Sequence, residues 1–324
     1  MRVRLNVIAA LMLCAVRTAS TNGPAPQDLV NQARRLDLAG KQDAAVGLYL
    51  QALQQNPNSF DAHYGIARAL DLAGRYDEAR LHFTRAIELA PEDGKDQALR
   101  MMGVSYVFTG DVINATRYFR QVFKRRMDTG IVVAAAEVAN ELGRVYLELG
   151  DLENASKWYQ TGYETAAREP NRPASEIDLA ELRLSHARGR IAAQRGDARE
   201  AQRAVSSFKR LLDKGTNVDQ QIQYPYLLGY IHFYLKEYDA AALDLQRADQ
   251  EDPFILALLG ETYDKLGMGE RARVYYRKAL GSSSHAVNNA FARRIVRQRL
   301  DGKTTRPSSA GGGLPRQAPL PRAL

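Results

Sequence analysis

The residue types that most often perform chemistry are few in this 324-residue chain and lie far apart. Its single cysteine is Cys14, which excludes an internal disulfide and any zinc site built on several thiolates. The histidines do not share the close helical spacing of a metal-binding motif. They are His63, His82, His186, His232 and His285. We therefore predict no catalytic residue, no metal and no cofactor, and we expect the protein not to be an enzyme.

The elements that position the side chains of this protein are predicted from an internal repeat. One set of six residues recurs 34 positions later in the same order: Leu36, Gly40, Ala45, Tyr49, Ala52 and Pro57 are matched by Leu70, Gly74, Ala79, Phe83, Ala86 and Pro91. Less regular copies follow, and their turn positions are Gly110, Gly150, Gly196, Lys236 and Gly267. Only Lys236 departs from glycine at this position.

Each copy contains two amphipathic stretches with apolar residues at helical spacing, separated by the turn position. A glycine there can adopt the left-handed conformation that ends a helix. Small residues such as Gly143 and Ala155 occupy matching positions of the two stretches, which predicts close approach of their backbones. Pro57 and Pro91 end the second stretch. One helix pair cannot bury its apolar face alone, so we expect the pairs to stack.

This pattern resembles the tetratricopeptide repeat (TPR) family, and specifically its exported bacterial members, over residues 26–285. The resemblance implies an all-α fold, a right-handed α-solenoid of about seven helix-turn-helix repeats. We expect irregularity around residues 168–178, where the segment Pro170-Asn171-Arg172-Pro173 lengthens one repeat. Residues 286–301 are predicted to form a capping helix. Its apolar side would cover the last repeat, and its opposite side, with four arginines, would face solvent: Arg293, Arg294, Arg297 and Arg299.

The resemblance further implies that the first helix of each repeat lines a concave groove that binds a peptide or protein. Four repeats carry arginine at one equivalent position of that face, Arg34, Arg68, Arg144 and Arg190. Such a row could bind carboxylates bidentately. Alternatively, the arginines pair within the protein, for example with Asp37 and Asp71 three residues after Arg34 and Arg68.

Aromatic side chains supply the other candidate groove residues. Tyr226, Tyr230 and Phe233 follow helical spacing and could anchor a partner, or could instead pack against the neighbouring repeat. Tyr64 occupies an early groove position. The lysine and asparagine clamp by which some family members hold the carboxyl ends of chaperones is absent, because those positions carry Val30, Arg34, Tyr64, Gly65 and Arg68.

The N-terminus is typical of an export signal. Arg2 and Arg4 precede ten uncharged residues, Val7 to Val16, so residues 1–20 are predicted to be a cleaved signal peptide, followed by a linker at 21–25. An uncleaved anchor, or a lipid on Cys14, is the alternative. We accordingly expect an exported protein, periplasmic or secreted, with membrane contact only through such an anchor.

The net charge of +8 is unevenly distributed. Residues 21–270 contain 30 bases and 36 acids, so the basic character belongs to the two ends of the chain. Residues 302–324 are rich in glycine and proline and are predicted to be disordered. We expect a scaffold or adaptor in an envelope, secretion or pilus-type assembly, with no cofactor and no nucleic-acid partner. Binding of nucleic acid or an anionic surface through the basic C-terminal region is the alternative.

Overall fold

The computed structural model describes residues 24–300, and its regular structure in this range is helical throughout, without a strand. Fifteen α-helices follow one another, with a short 3-10 turn at Val218–Ile222. Their bounds are α1 Pro26–Leu38, α2 Gln42–Gln55, α3 Phe60–Leu72, α4 Tyr76–Leu89, α5 Glu92–Thr109, α6 Val112–Asp128, α7 Val132–Glu148, α8 Leu152–Ala166, α9 Ala174–Gln194, α10 Ala198–Leu212, α11 Gln223–Tyr234, α12 Tyr238–Arg247, α13 Pro253–Lys265, α14 Gly269–Leu280 and α15 Val287–Leu300. The all-α solenoid expected from the repeats is therefore confirmed.

The turns within the helix pairs have the geometry that the repeat predicts. Gly74 has φ of +83°, and the backbone N–H groups of Gly74 and Arg75 donate to carbonyls of the preceding helix turn. Lys236 occupies the equivalent position of a later pair with φ of +68°. A lysine there retains the turn at a conformational cost that glycine avoids. Lys236 is therefore a conformational equivalent of the turn glycines.

In four of the pairs, a glycine of the first helix faces an aromatic or aliphatic side chain of the second. A Cβ atom added to Gly143 would lie 2.8 Å from the ring of Tyr159, and one added to Gly260 would lie 2.5 Å from the ring of Tyr276. The predicted close approach of the two helices is present. Glycine is needed at position 143 because the ring of Tyr159 packs on its backbone. Ala155, which is also buried, lies one turn before Tyr159 on α8.

The stacking is least regular between α8 and α11. A seven-residue connection joins α8 to α9 and includes Asn171 in the left-handed region, with φ of +56°. The segment after α10 is held to α9 by Asp178, whose carboxylate accepts from Lys214 Nζ at 2.6 Å and from Thr216 Oγ1 at 2.9 Å. These hydrogen bonds fix Lys214 and Thr216, which follow α10, against α9 in the least regular part of the array.

The last helix, α15, contacts helices at both ends of the array. It packs on α13 and α14, as a capping helix should, and it also packs on α5. First helices contact one another in succession at both parts of the array, from α1 through α3 to α5 and from α9 through α11 to α13. A single helix can touch first helices from such distant pairs only if the array curves around it, so α15 lies on the concave side. Among residues 24–300, no helix is long and apolar enough to cross a membrane.

Candidate functional site: the concave surface

Three arginines of α15 make hydrogen bonds to the array. Arg293 Nη1 donates to the carbonyl of Leu72 at 2.9 Å, and its Nη2 donates to the carbonyl of Ser282 at 3.1 Å. Arg297 donates to the hydroxyl of Tyr76. Burial lowers the pKa of Arg293. The prediction of a solvated arginine face is wrong for Arg293, because the concave wall supplies a helix-terminal carbonyl that accepts from its guanidinium group. Arg297 remains exposed, as predicted, although it also contacts the array.

The segment before α15 is anchored equally firmly to the early repeats. His285 is buried, and its Nε2 lies 2.7 Å from Asp71 Oδ2. Ser105 Oγ donates to the other oxygen of Asp71 at 3.0 Å, and Ser283 Oγ donates to the carbonyl of Leu38 at 2.9 Å. Burial raises the pKa of Asp71, and the hydrogen bond from His285 opposes that shift. Residues 281–299 therefore occupy the part of the concave surface that α3 and α5 form.

The first two predicted arginines pair with acids on neighbouring helices. Arg34 Nη2 lies 3.6 Å from Asp61 Oδ1, and Arg68 Nη2 lies 3.6 Å from Asp37 Oδ2. Burial raises the pKa of Asp37, while the charge of Arg68 opposes the shift. Arg34 and Arg68 therefore pair with acids of the protein itself, which is the second of the two alternatives predicted from the sequence. The partners differ from those expected, because adjacent first helices lie side by side and bring these charges together.

The other two arginines share one buried carboxylate. Arg144 Nε lies 3.1 Å from Glu148 Oε1, and Arg190 Nη1 lies 3.6 Å from the same oxygen. Arg190 keeps only 4% of its side chain exposed, whereas Arg144 keeps 15%. Arg190 Nη2 also donates to the hydroxyl of Tyr159 at 2.8 Å. Arg190 is therefore not exposed on the concave surface. Of the four arginines in the predicted row, the last two, Arg144 and Arg190, have buried guanidinium groups that share one carboxylate.

Two of the predicted aromatic anchors are buried as well. Tyr226 and Tyr230 are almost wholly inaccessible, and the hydroxyl of Tyr230 donates to Glu148 at 3.2 Å. Phe233 is half-buried against other aromatic rings of α11 and α12. Tyr64 is half-buried, and its hydroxyl accepts from Gln97 at 2.9 Å. Of the two alternatives predicted for Tyr226 and Tyr230, exposure in the groove does not hold, and packing within the array does, because both side chains are buried.

A concave cavity of about 600 Å³ remains open beside α15. It is formed mainly by α7 and α9, with single residues from other helices, and five arginines but only two glutamates line it. The lining residues are Arg100, Arg126, Glu137, Val138, Asn140, Glu141, Arg144, Tyr159, Leu182, Arg183, His186, Arg190, Phe208, Gln220, Gln223 and Val287. We call this space the concave cavity. It brings together Arg144 and Arg190 of the predicted row, and it excludes Arg34 and Arg68.

The rim and the floor of the concave cavity differ in charge pairing. At the rim, Arg100 makes a bidentate pair with Glu141 at 2.6 and 2.7 Å. At the floor, burial and the nearby arginines hold the pKa of His186 well below its usual range, so the imidazole is neutral at pH 7. Burial raises the pKa of Tyr226 to about 12, so its hydroxyl is a neutral donor. His186 of the floor and Tyr226 next to it are therefore uncharged at pH 7, so the positive charge of the floor belongs to Arg144 and Arg190.

The structure also joins two histidines that are 19 positions apart in the sequence. His63 Nδ1 of α3 lies 3.0 Å from His82 Nδ1 of α4, and His63 Nε2 lies 3.1 Å from the carbonyl of Pro57. Burial lowers the pKa of both imidazoles. No group of three or more metal-ligand side chains occurs in the described residues. The two rings thus form a neutral hydrogen-bonded pair between the helices of one repeat.

Three residues of the concave surface are not predicted by the repeat pattern: Glu148, His186 and His285. Glu148 could have been identified from the sequence, because it follows Arg144 by about one helical turn. In the first two repeats, Asp37 and Asp71 follow the equivalent arginines at a similar distance. His186 and His285 could not have been identified in this way, since their partners come from distant parts of the chain.

Comparison with known proteins agrees with this architecture. A family model described as tetratricopeptide repeat matches residues 30–94 and 100–171, and a second with the same description matches residues 255–285. Comparison with curated proteins found no match.

Several solved structures are similar to this chain at low sequence identity. A tetratricopeptide repeat protein from Parabacteroides merdae is similar with a TM-score of 0.50 and 14% identity, over 84% of this chain and 100% of that chain. A putative kinesin light chain with TPR-like repeats from Podosopora anserina has a TM-score of 0.48 and 17% identity, over 60% of this chain and 99% of that one. YrrB, described as a TPR protein with an unusual peptide-binding site, has a TM-score of 0.38 and 17% identity, over 56% of this chain and 84% of that one.

Proposed function

Because the chain belongs to the tetratricopeptide repeat family, whose fold supports protein–protein interaction, we propose that it is a non-catalytic scaffold that binds a peptide segment in the concave cavity. The observation that carries this proposal is the cavity itself, which stays open on the concave side while α15 fills the adjacent part. Its volume of about 600 Å³ suits several side chains of an extended or helical segment.

The composition of the concave cavity supports a peptide ligand. Apolar side chains line it next to polar and charged ones, among them Val138, Leu182 and Phe208. Binding sites commonly combine apolar contact area with a few polar groups that fix orientation. The adjoining surface already binds a helix of this kind, since α15 buries Phe291 and Val296 against the array. A partner segment would use the same types of contact.

The proposed setting is an exported assembly of the envelope, secretion or pilus type. This part of the proposal rests on the signal-like residues 1–20, which lie outside the described residues. Its test is the N-terminal sequence of the protein isolated from its own cells. A mature chain that starts near residue 21 supports export, whereas an intact Met1 in a soluble fraction contradicts it.

The arginines of α15 already bind groups of the array, so they do not favour nucleic acid as the ligand. Arg293 and Arg297 donate to groups of the early repeats, and Arg299 pairs with Glu261 at 2.6 Å. The basic tail at 302–324 lies outside the described residues. We therefore place partner binding in the concave cavity rather than on the C-terminal helix.

The test compares two Gln-to-Trp variants that differ only in place. Gln223 lines the concave cavity, whereas Gln202 is exposed on α10 and does not line it. Peptides are first selected from a random dodecamer library against the purified protein, and their affinities are then measured by fluorescence anisotropy. We expect Gln223→Trp to weaken binding by about tenfold or more, equivalent to ~1.4 kcal/mol, and Gln202→Trp to leave it unchanged. Equal affinities for both variants, or no selected peptide, would contradict the proposal.

A further inference from the structure

The floor of the concave cavity contains an unusual concentration of unpaired hydrogen-bonding groups. Three of the lining side chains and one tyrosine packed against them form this group, which we call the donor cluster: Arg144, His186, Arg190 and Tyr226. Tyr226 does not itself line the cavity, and its ring lies 5.4 Å from the ring of His186. Ten buried side-chain nitrogen and oxygen atoms lack a hydrogen-bond partner within the described residues, and six of them belong to the donor cluster. They are Arg144 Nε and Nη2, His186 Nε2, Arg190 Nε and Nη1, and the Tyr226 hydroxyl.

Such a concentration points to a ligand, because buried donors are normally paired. Arg144 Nε is close to Glu148, at 3.1 Å, but the angle makes this contact an ion pair without a hydrogen bond. The guanidinium of Arg190 uses one nitrogen on Tyr159 and leaves two without an acceptor. Leaving buried donors of a charged group unsatisfied costs more than it does for neutral groups. The donor cluster is therefore costly to the fold as it stands, which favours an acceptor supplied from outside.

The charge of the donor cluster is also incomplete. Two guanidinium groups share the single carboxylate of Glu148, which leaves one positive charge in excess. The rings of Tyr226, Phe254 and Phe291 surround Arg144, with Phe254 nearest at 4.7 Å from Cζ. These rings hold the guanidinium in place without neutralising it. One further negative charge would balance the floor.

From these observations we infer that the donor cluster is a subsite for one carboxylate group of the bound peptide, an inference that rests on the proposed peptide-binding function. A carboxylate has two oxygens with about four acceptor positions, which matches the donors of paired guanidinium forks. Arg144, with 15% of its side chain exposed, is more accessible to a ligand than Arg190, with 4%. The carboxylate is either an Asp or Glu side chain or the free C-terminus of the partner.

The surroundings favour a single carboxylate over the phosphates of a nucleic acid. The other lining arginines are already paired, so positive charge is unbalanced only at the floor. The pairs are Arg100 with Glu141, Arg183 with Glu137 and Arg126 with Asp96. Residues 21–270 carry more acids than bases, which disfavours approach of a polyanion. One charge beside an apolar wall fits a peptide terminus or an acidic side chain.

The experiment observes the donor cluster directly by nuclear magnetic resonance. The Nε–Hε resonances of Arg144 and Arg190 are assigned by substitution and followed during titration at constant ionic strength. The probes are N-acetylglutamate methylamide for an acidic side chain, N-acetylglycine for a free C-terminus, N-acetylglutamine methylamide as the neutral match, and inorganic phosphate. We expect saturable shifts, with millimolar dissociation constants, for one or both carboxylates. The neutral probe should cause none, and the better carboxylate identifies the source.

Variants separate binding at the donor cluster from general effects of charge. Arg144→Gln should weaken carboxylate binding at least tenfold, and Arg199→Gln, at an exposed position of α10, should not change it. If Arg144→Gln fails to fold, Tyr226→Phe removes one donor while keeping the ring, and we expect about threefold weaker binding.

Three results would overturn the inference: equal shifts with the neutral probe, shifts that do not saturate, or binding of phosphate alone. If selected peptides respond to Gln223→Trp but leave the donor-cluster resonances unmoved, the carboxylate subsite is wrong and the peptide-binding function stands. If no peptide is selected, the proposed function itself fails, whatever the small probes show.

Discussion

Replacing Phe291 by alanine should destabilise repeats that are distant from it in sequence. The Phe291 side chain is 2% exposed, packs edge-on against Phe254 with 6.0 Å between ring centroids, and lies 5.8 Å from Arg144 Cζ. Truncating a fully buried phenylalanine to alanine costs about 3–5 kcal/mol, because transfer free energy is lost and a cavity remains. We expect a loss of stability in this range, measured by urea denaturation.

The distribution of the loss is the sharper part of this prediction. In an open array, repeats contact only their neighbours, so damage to α15 should remain near α13 and α14. Here the segment that carries Phe291 also binds α3, through His285 and Arg293, and α15 packs on α5. Native-state hydrogen exchange, read by mass spectrometry, should therefore show faster exchange in α3 and α5. A loss of about 3 kcal/mol corresponds to roughly 100-fold faster exchange through the affected opening.

The control is Leu243→Ala, since Leu243 is 62% exposed on α12 and its truncation should change stability by less than about 0.5 kcal/mol. Unchanged exchange in α3 and α5, with faster exchange limited to α13–α15, would refute the idea that α15 couples the two ends of the array. A total loss below about 1 kcal/mol would show that Phe291 is not packed as described.

Three further substitutions test local features. Gly143→Ala places a Cβ 2.8 Å from the ring of Tyr159 and should lower the free energy of unfolding by about 1–3 kcal/mol. Gly47→Ala is its matched control, because its Cβ meets no atom within 4 Å, and should instead stabilise by about 0.5–1 kcal/mol in urea denaturation. Lys236→Gly relieves a left-handed lysine and should raise stability by up to about 1 kcal/mol, and a loss of stability would show that the lysine side chain contributes more than its backbone costs. His186 has its pKa held well below the usual range, so as the pH falls below about 6.5 the unfolded chain binds a proton that the folded chain does not. The parent should therefore lose up to ~1.4 kcal/mol per pH unit there relative to His186→Gln, with no such trend between pH 7.5 and 8.5, and parallel melting temperatures across pH 5.5–8 would contradict this shift.

The helices and turns can be predicted because their determinants are local. The match of Leu36 to Leu70 and of Gly40 to Gly74 indicates the repeat from residue order and spacing alone. Even the exception at Lys236 follows the pattern, because the fold needs a backbone conformation there rather than a particular side chain. Stacking of the pairs follows from their unpaired apolar faces.

The candidate site can be predicted only in part, because a helical pattern assigns a residue to a face but does not say what covers that face. Arg144 and Arg190 are candidate groove residues by their position in the repeat, and they do line the concave cavity. Their burial, and the shared partner Glu148, depend on how α7, α9 and α11 pack. Tyr226 is a candidate for the same reason, yet it is inaccessible in the folded chain.

The sequence by itself determined the family, the helical repeat and the turn geometry, because each depends on residues within about one repeat of one another. Only the tertiary structure decided that residues 281–299 lie in the concave space. His285 and Asp71 are 214 positions apart, and Arg293 and Leu72 are 221 apart. Their meeting depends on the curvature of the array, which accumulates from small rotations between successive repeats. No local sequence pattern predicts the total curvature. The part of the concave surface that α15 leaves open for a partner could therefore be identified only from the folded structure.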